Sequence, residues 1–320
     1  MRVTAQLIDA KSGEHIWANR YEEEGRDVAA MQGNVADRIY TTLAGLRGAI
    51  RKREESDAWT KSAPSLEEYD YYLRGHQLFF RFTKEDSARG RDIWLEGLEK
   101  YPGSALLQAK LAFAYIMDVN VYGSEDPWRD TELAWKYGSA ALQSPHKSQL
   151  EAFLAHWAMA FLYQYHEGDF ERSIAEAEIA VTLVPYDPFS HADLGFAIAL
   201  AGKVDRGIEW LEEAIRRDGS PLDWYFGYLA FAYYLAGRAD DAVGVALKME
   251  HPPYLTLAAS YARLGKLDEA RRSVERLLAQ KPGWTIEDEA VYPSTKRPQL
   301  VAPLLKLYLS DLAKAGLPEK

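Results

Sequence analysis

The sequence predicts a mostly α-helical chain: a short β-hairpin, a long helix, then about six antiparallel helix pairs stacked as an α-solenoid. Three observations carry this. β-formers gather in the first twenty-odd residues, apolar residues recur at helical spacing downstream, and a pattern of small residues with a bend glycine repeats at or near 34 residues.

The elements follow in order. Val3–Asp9 and His15–Tyr21 are short and rich in β-formers, and Ala10-Lys11-Ser12-Gly13-Glu14 between them is turn-like, which predicts a hairpin. Asp27 is placed to cap a helix carrying Val28, Met31, Val35, Ile39, Leu43, Leu46 and Ile50 at helical spacing. A lone hairpin leaves two open edges, and one helix does not complete a core around it. Two readings stay open for residues 1–60: the remnant of a larger α/β domain, or a sheet edge that pairs with a second copy to give a homodimer. The basic cluster Arg47, Arg51, Lys52 and Arg53 reads as the solvated end of the long helix, where cations suit the dipole.

After the polar stretch Asp57–Ser65, residues 65–285 read as the array. Tyr163 to Phe170, with Gly168, then Ala177, Ala180 and Pro185, recurs as Leu194-Gly195, Gly202, Gly207, Leu211 and Ala214. It recurs again as Leu229-Ala230, Gly237, Ala242 and Ala246, and as Leu257-Ala258, Gly265, Ala270, Leu277 and Pro282. Upstream, Gly90, Trp94 and Gly97, Leu111-Ala112 and Tyr115, and Ala134, Gly138 and Ala141 fit the same pattern. Small residues let two antiparallel backbones approach, and glycine at the bend stops the first helix in a left-handed conformation. A helix pair cannot bury its own apolar face, so stacked units make the core. Residues 118–130 insert about ten residues at one bend, with Tyr122 and Trp128 expected to pack against the body. Trp284–Pro298 breaks the array before a last helix, Leu300–Lys314, and residues 286–320 read as a C-terminal cap.

These residues resemble the tetratricopeptide repeat. Arg2 to Asp9, Ser12-Gly13, His15-Ile16-Trp17-Ala18, Arg20-Tyr21 and Gln32 resemble the end of a TolB-like α/β domain. In bacterial signalling proteins of the adenylate/guanylate cyclase type, and in some winged-helix regulators, that domain precedes such repeats. The segment Leu312 to Glu319 resembles their usual last residues. The resemblance implies a natural C-terminus here, with most of an α/β domain and any cyclase or DNA-binding domain lying upstream. Glu22-Glu23-Glu24-Gly25 and Ala29-Ala30 depart from the acidic-aromatic segment usual before the helix with Gln32, and no cyclase catalytic residue has a counterpart here.

Chemistry is sparse. The phosphate loop, the G-x-G-x-x-G turn, the G-x-S-x-G elbow and the H-E-x-x-H motif do not occur. Asp118-x-Asn120-x-Tyr122-Gly123 opens like a calcium loop, but Tyr122 and Arg129 stand where ligands belong. The seven histidines are scattered, and Glu209, Glu212 and Glu213 fall on an outer, solvated helix face. With no cysteine, thiol catalysis and thiolate metal sites are excluded. A net charge of −10 argues against nucleic acid, and no apolar run reaches the ~20 residues of a membrane span. The expectation is therefore not an enzyme, with no cofactor and no metal. The expected compartment is the cytoplasm, although a periplasmic chain would also fit this composition.

The repeat pattern projects a row of side chains into the superhelical groove: Phe79 in the first unit, then Phe113, Leu162, Tyr165, Phe189, Phe196, Trp224, Phe231 and Tyr234. The row is apolar and aromatic, and the lysines, asparagines and arginines that clamp a peptide carboxylate are largely missing from it. Two readings follow: a groove for a protein or peptide partner such as an amphipathic helix, or a groove filled by residues 118–130 or by the segment around Trp284. The expected function is an interaction or regulatory scaffold. The alternatives are an accessory or truncated part of a nucleotide cyclase signalling protein, or a dimerisation module.

Overall fold

The computed structural model describes residues 2–10, 12–22, 28–145, 148–291 and 299–320. Strands β1 (Arg2–Ile8) and β2 (His15–Glu22) form an antiparallel hairpin with Val3 opposite Tyr21 and Leu7 opposite Trp17. Gly13, at φ +71°, and the Asp9 side chain, which accepts from the Ser12 N–H at 2.8 Å, shape its turn. Asp27, expected as a cap, lies outside the described residues.

The predicted long helix is two helices, α1 (Val28–Ala44) and α2 (Ala49–Thr60). The break at Gly45–Gly48 has a physical cause. A Cβ on Gly48 would lie 2.4 Å from the Leu43 carbonyl oxygen, and the freed Leu46 N–H donates to Asp187 at 2.8 Å. Arg51, Lys52 and Arg53 therefore occupy the first half of α2, not a helix C-terminus. They are also not simply solvated: Arg51 donates to the Tyr69 hydroxyl at 2.6 Å and Arg47 faces Asp218 at 3.8 Å.

Six antiparallel pairs follow: α3 (Glu68–Phe79) with α4 (Lys84–Lys100), α5 (Ala105–Met117) with α6 (Pro127–Gln143), and α7 (Gln149–Phe161) with α8 (Phe170–Leu183). Then come α9 (Pro188–Leu200) with α10 (Val204–Arg217), α11 (Asp223–Leu235) with α12 (Ala239–Ala246), and α13 (Tyr254–Arg263) with α14 (Leu267–Gln280). The first helices form the inner layer. In α5 every residue from Ala105 to Ile116 is buried, the mark of a helix enclosed on all sides. The second helices are amphipathic: α14 buries only Ala270, Ser273, Val274 and Leu277. Side-chain caps at Thr83, Ser104, Asp126, Ser148, Asp169 and Asp187 fix helix starts, each contributing about 1 kcal/mol.

Each intrahelical-pair bend holds one residue at positive φ: Phe82, Gly123, Gly168, Gly202, Gly237 and Gly265. Five are glycine and one is phenylalanine. Backbones come closest in the fourth pair, where a Cβ on Gly207 would lie 2.5 Å from the Gly195 carbonyl oxygen.

Both α5 and α7 run on into a widened π-helical turn, Asp118–Tyr122 and Leu162–Glu167. Of the expected 118–130 insertion, 118–122 thus extends α5 and 127–130 begins α6. Trp128 does not pack: it is 84% exposed on the first turn of α6. At the far end, the short α15 (Ile286–Ala290) and α16 (Ala302–Ala315) close the chain, α16 lying against α13 and α14. Residues 292–298, most of the expected break, lie outside the described residues. No described helix is long and apolar enough to cross a membrane.

A candidate binding cavity on the inner face

The inner layer carries a chain of touching rings. Phe80 meets Phe189 at 4.9 Å between centroids, Phe189 meets Trp157 at 5.8 Å and Trp224 at 5.3 Å, and Phe113 meets Trp157 at 4.7 Å. The contact of Phe80 with Phe189 joins the first pair to the fourth. These rings do not fill the space between them. They surround a cavity of about 270 Å³, whose lining also includes Phe79, Phe82, Tyr165, Tyr228, Asn120, Val121, Lys110 and Asp193.

The groove row projected from the sequence divides in two. Phe113, Tyr165, Phe189 and Trp224, with Phe79, line the cavity. Leu162 is fully buried in the core, and Phe196, Phe231 and Tyr234 lie beyond the cavity. Phe196 stacks on Tyr228 at 3.8 Å, while Tyr308 of α16 covers Phe231 and Tyr234 at 5.0 and 5.7 Å. Beneath that cover, Asp311 accepts from Tyr234 Oη (2.9 Å), Arg263 Nε (2.9 Å) and Lys314 Nζ (2.8 Å). Burial pushes its pKa up, but these three bonds outweigh burial and hold it below the usual carboxylate range.

Lys110 corrects the expectation of a groove without lysine. It is 2% exposed, and its ammonium lies 4.3 Å from the centroid of Phe79, 5.1 Å from Trp94 and 5.7 Å from both Phe80 and Phe113. Among the described residues no carboxylate comes within ion-pair distance of it. Burial first, then Arg51, pushes its pKa down to about 7, with Glu55 acting the other way. Behind it His76 Nδ1 and Glu55 Oε1 share a 2.6 Å hydrogen bond. Burial pushes the Glu55 carboxyl up to about 7 and, together with Lys110 and Arg51, lowers the His76 pKa. Asp193, in the cavity wall, accepts from Trp157 Nε1 at 3.0 Å, and burial pushes its pKa up to about 7 against that bond. Both groups carried a sequence signal: a lone lysine in the apolar run Ala105–Met117 and a lone aspartate in Pro188–Leu200. Phe80, Phe82 and Trp157 carried none, because their positions depend on how tightly the solenoid winds.

The other candidates are held in local contacts. Asp118 pairs with Arg91, and Asn120 Nδ2 reaches His166 Nε2 at 3.5 Å. His156 Nδ1 meets Glu176 at 2.5 Å, Glu213 bridges Arg216 and Arg217, and Glu212 accepts from the Tyr233 hydroxyl at 2.6 Å. Among the described residues no three metal-ligating side chains converge.

Together these features define a helical-repeat solenoid whose inner face is aromatic, open at one end and covered at the other. No family model matches the sequence. Over 128 residues the chain is 30% identical to a Rhizobium meliloti (strain 1021) protein named "Putative adenylate cyclase 3", a match covering 40% of this chain and 21% of that protein. The matched region thus spans about a fifth of the relative's length.

Proposed function

We propose that the chain is a tetratricopeptide-type interaction module, a non-catalytic regulatory part of a nucleotide-cyclase-type signalling protein, acting in the cytoplasm. In this reading residues 1–60 are the end of a TolB-like α/β domain, 65–285 the array and 286–320 its cap. One observation carries it: Trp224, Tyr228, Phe196 and Phe231 form a continuous strip of touching rings on the inner face, each only partly buried. Aromatic side chains half-open on a rigid helical layer are the residue types that dominate binding energy at protein interfaces. An amphipathic partner helix, with apolar residues at turn-to-turn spacing, fits such a strip. The name of the Rhizobium meliloti relative supports the signalling context.

The test is affinity capture with the wild-type chain against the Phe196→Lys/Phe231→Lys double variant. The variant should lose the specific partner; identical partner sets would reject the strip as the binding surface. The purified chain should form no cyclic nucleotide from ATP or GTP, and detectable turnover would reject the non-catalytic half of the reading.

A second reading has its own observation. Among the described residues the hairpin pairs only with itself, leaving both outer edges without a strand partner. Such edges pair readily with another copy. Removal of residues 1–25 should lower the mass in solution if the hairpin dimerises the chain; an unchanged mass rejects it.

A further inference from the structure

We propose that the inner cavity binds a small amphipathic carboxylic acid, its carboxylate on the Lys110 ammonium and its apolar body among Phe113, Trp157, Phe189 and Trp224. The cavity shares Trp224 and Tyr228 with the neighbouring strip, but the inference does not rest on partner capture there. It starts from an incomplete contact. A desolvated ammonium is costly unless paired, and four ring faces supply only part of what water supplied. The carboxylate that could have paired with it, Glu55, is engaged by His76 instead.

The charge selects the ligand class. Ring faces that attract cations are already turned to Lys110. Asp193, the carboxyl in the same lining, is bonded to Trp157 and pushed toward its neutral form by burial, so an incoming cation meets the Lys110 charge with little compensation. A purely apolar ligand would leave the ammonium unpaired. Inorganic phosphate would satisfy the charge but place its remaining oxygens against phenyl and indole faces. An acid with an apolar body matches both halves of the lining. Size sets the scale: an engineered cavity of about 150 Å³ holds benzene, so the 270 Å³ here suits an aryl or branched acid of about ten to fifteen non-hydrogen atoms. Asn120 Oδ1, buried without a hydrogen-bond partner among the described residues, is an acceptor and so could take an O–H or N–H on the ligand's body but not the carboxylate itself.

The mouth of the cavity carries the backbone outlier. Phe82, 43% exposed, holds φ +54° at the bend where the other five pairs have glycine. Its ring stacks on Phe189 at 6.4 Å and 18°. A strained residue kept at a cavity rim is a feature of ligand sites, and here the strain places an aromatic wall that glycine cannot provide.

The experiment is calorimetric titration of the full chain with 3-phenylpropionate and with its neutral amide at pH 6. The acid should bind at least about tenfold more tightly, the effect of one charge-assisted hydrogen bond in a dry site. In Lys110→Met the acid and the amide should bind alike. Equal binding of acid and amide to the wild type, no binding of either at millimolar concentration, or a preference that persists in Lys110→Met would each overturn the proposal. If Lys110→Met does not fold, wild-type pH dependence decides. The groups acting on Lys110 are Arg51 and Glu55 of α2, with His76 of α3 beside them. Asp193 of α9 faces the same cavity, so the series is repeated in Asp193→Asn to separate its charge. The preference for the acid should fall as pH rises from 6 to 8.5 and Lys110 loses its proton. A flat preference would overturn the proposal. A peptide ending in phenylalanine serves as the second source of the same chemistry; tighter binding of that peptide than of the free acid would reject the small-acid assignment.

Discussion

At each end of the aromatic inner face sits a buried charge, Asp311 at one and Lys110 at the other, and the two are treated oppositely. At the C-terminal end Asp311 receives three donors, and the chain's own α16 covers the rings around it. At the N-terminal end Lys110 is ringed by aromatic faces with no ion-pairing carboxylate, and the space before it is open. Both ends share sequence style, helix geometry and ring content. What differs is whether the chain supplies its own counter-charge. An inner surface is therefore not one groove but two environments, one a completed core and one a receptive site.

The largest predicted effect breaks the completed end. Asp311→Ala leaves the half-buried Arg263 without its carboxylate and Tyr234 Oη without its acceptor, and should cost about 3–5 kcal/mol in urea unfolding. The group's depressed pKa gives the sign with acid: its stabilisation is full above the unfolded value near 4 and disappears as pH falls through the folded value. The opposite sign marks the open end. Lys110 is pushed down to about 7, below its unfolded value of about 10.4, so the folded state binds fewer protons between those limits. Stability should rise from pH 7 to pH 10, by on the order of 3 kcal/mol, and the rise should vanish in Lys110→Met. Subtracting the variant's curve removes the contribution of Glu55 and the tyrosines. A smaller effect tests the rim: Phe82→Gly should be about 1 kcal/mol more stable than Phe82→Ala, because only the glycine relieves the left-handed backbone. Equal stabilities would show that the bend is unstrained. The smallest is at the exposed tryptophan. Trp128→Ser should change stability by less than about 0.5 kcal/mol, since the side chain meets mostly water.

Much of this architecture was legible because its cause is local. Bend glycines and small residues at helix contacts act within a few residues of themselves, so Gly168, Gly202, Gly237 and Gly265 announced four bends directly. The bend at Phe82 was illegible for the same reason: nothing in phenylalanine signals a left-handed residue. The split between α1 and α2 was hidden because apolar periodicity continues through Leu46, while the partner of its freed N–H lies at Asp187. Trp128 misled in the other direction, because aromatic character alone does not say which way a helix turns its side. Of the projected groove row, Phe113, Phe189 and Trp224 lie in the cavity lining, and only winding decides which rings face a cavity and which face α16.

The contacts of α1 and the α1–α2 break with the fourth pair have a consequence for how this solenoid comes apart. In an open stack each repeat leans only on its neighbours, and the ends fray independently. Here Leu46 bonds Asp187, and Thr41 bonds the Arg217 carbonyl at 3.1 Å, while α2 packs on α3. The first four pairs are thus closed into a ring by a strap from their own N-terminal side. Such closure raises contact order, slows folding relative to an open array of equal length, and makes the ringed pairs unfold together. The fifth and sixth pairs lie outside the strap but are tied to each other through Asp311 and Tyr308 of α16, so they should leave the ring together rather than one at a time.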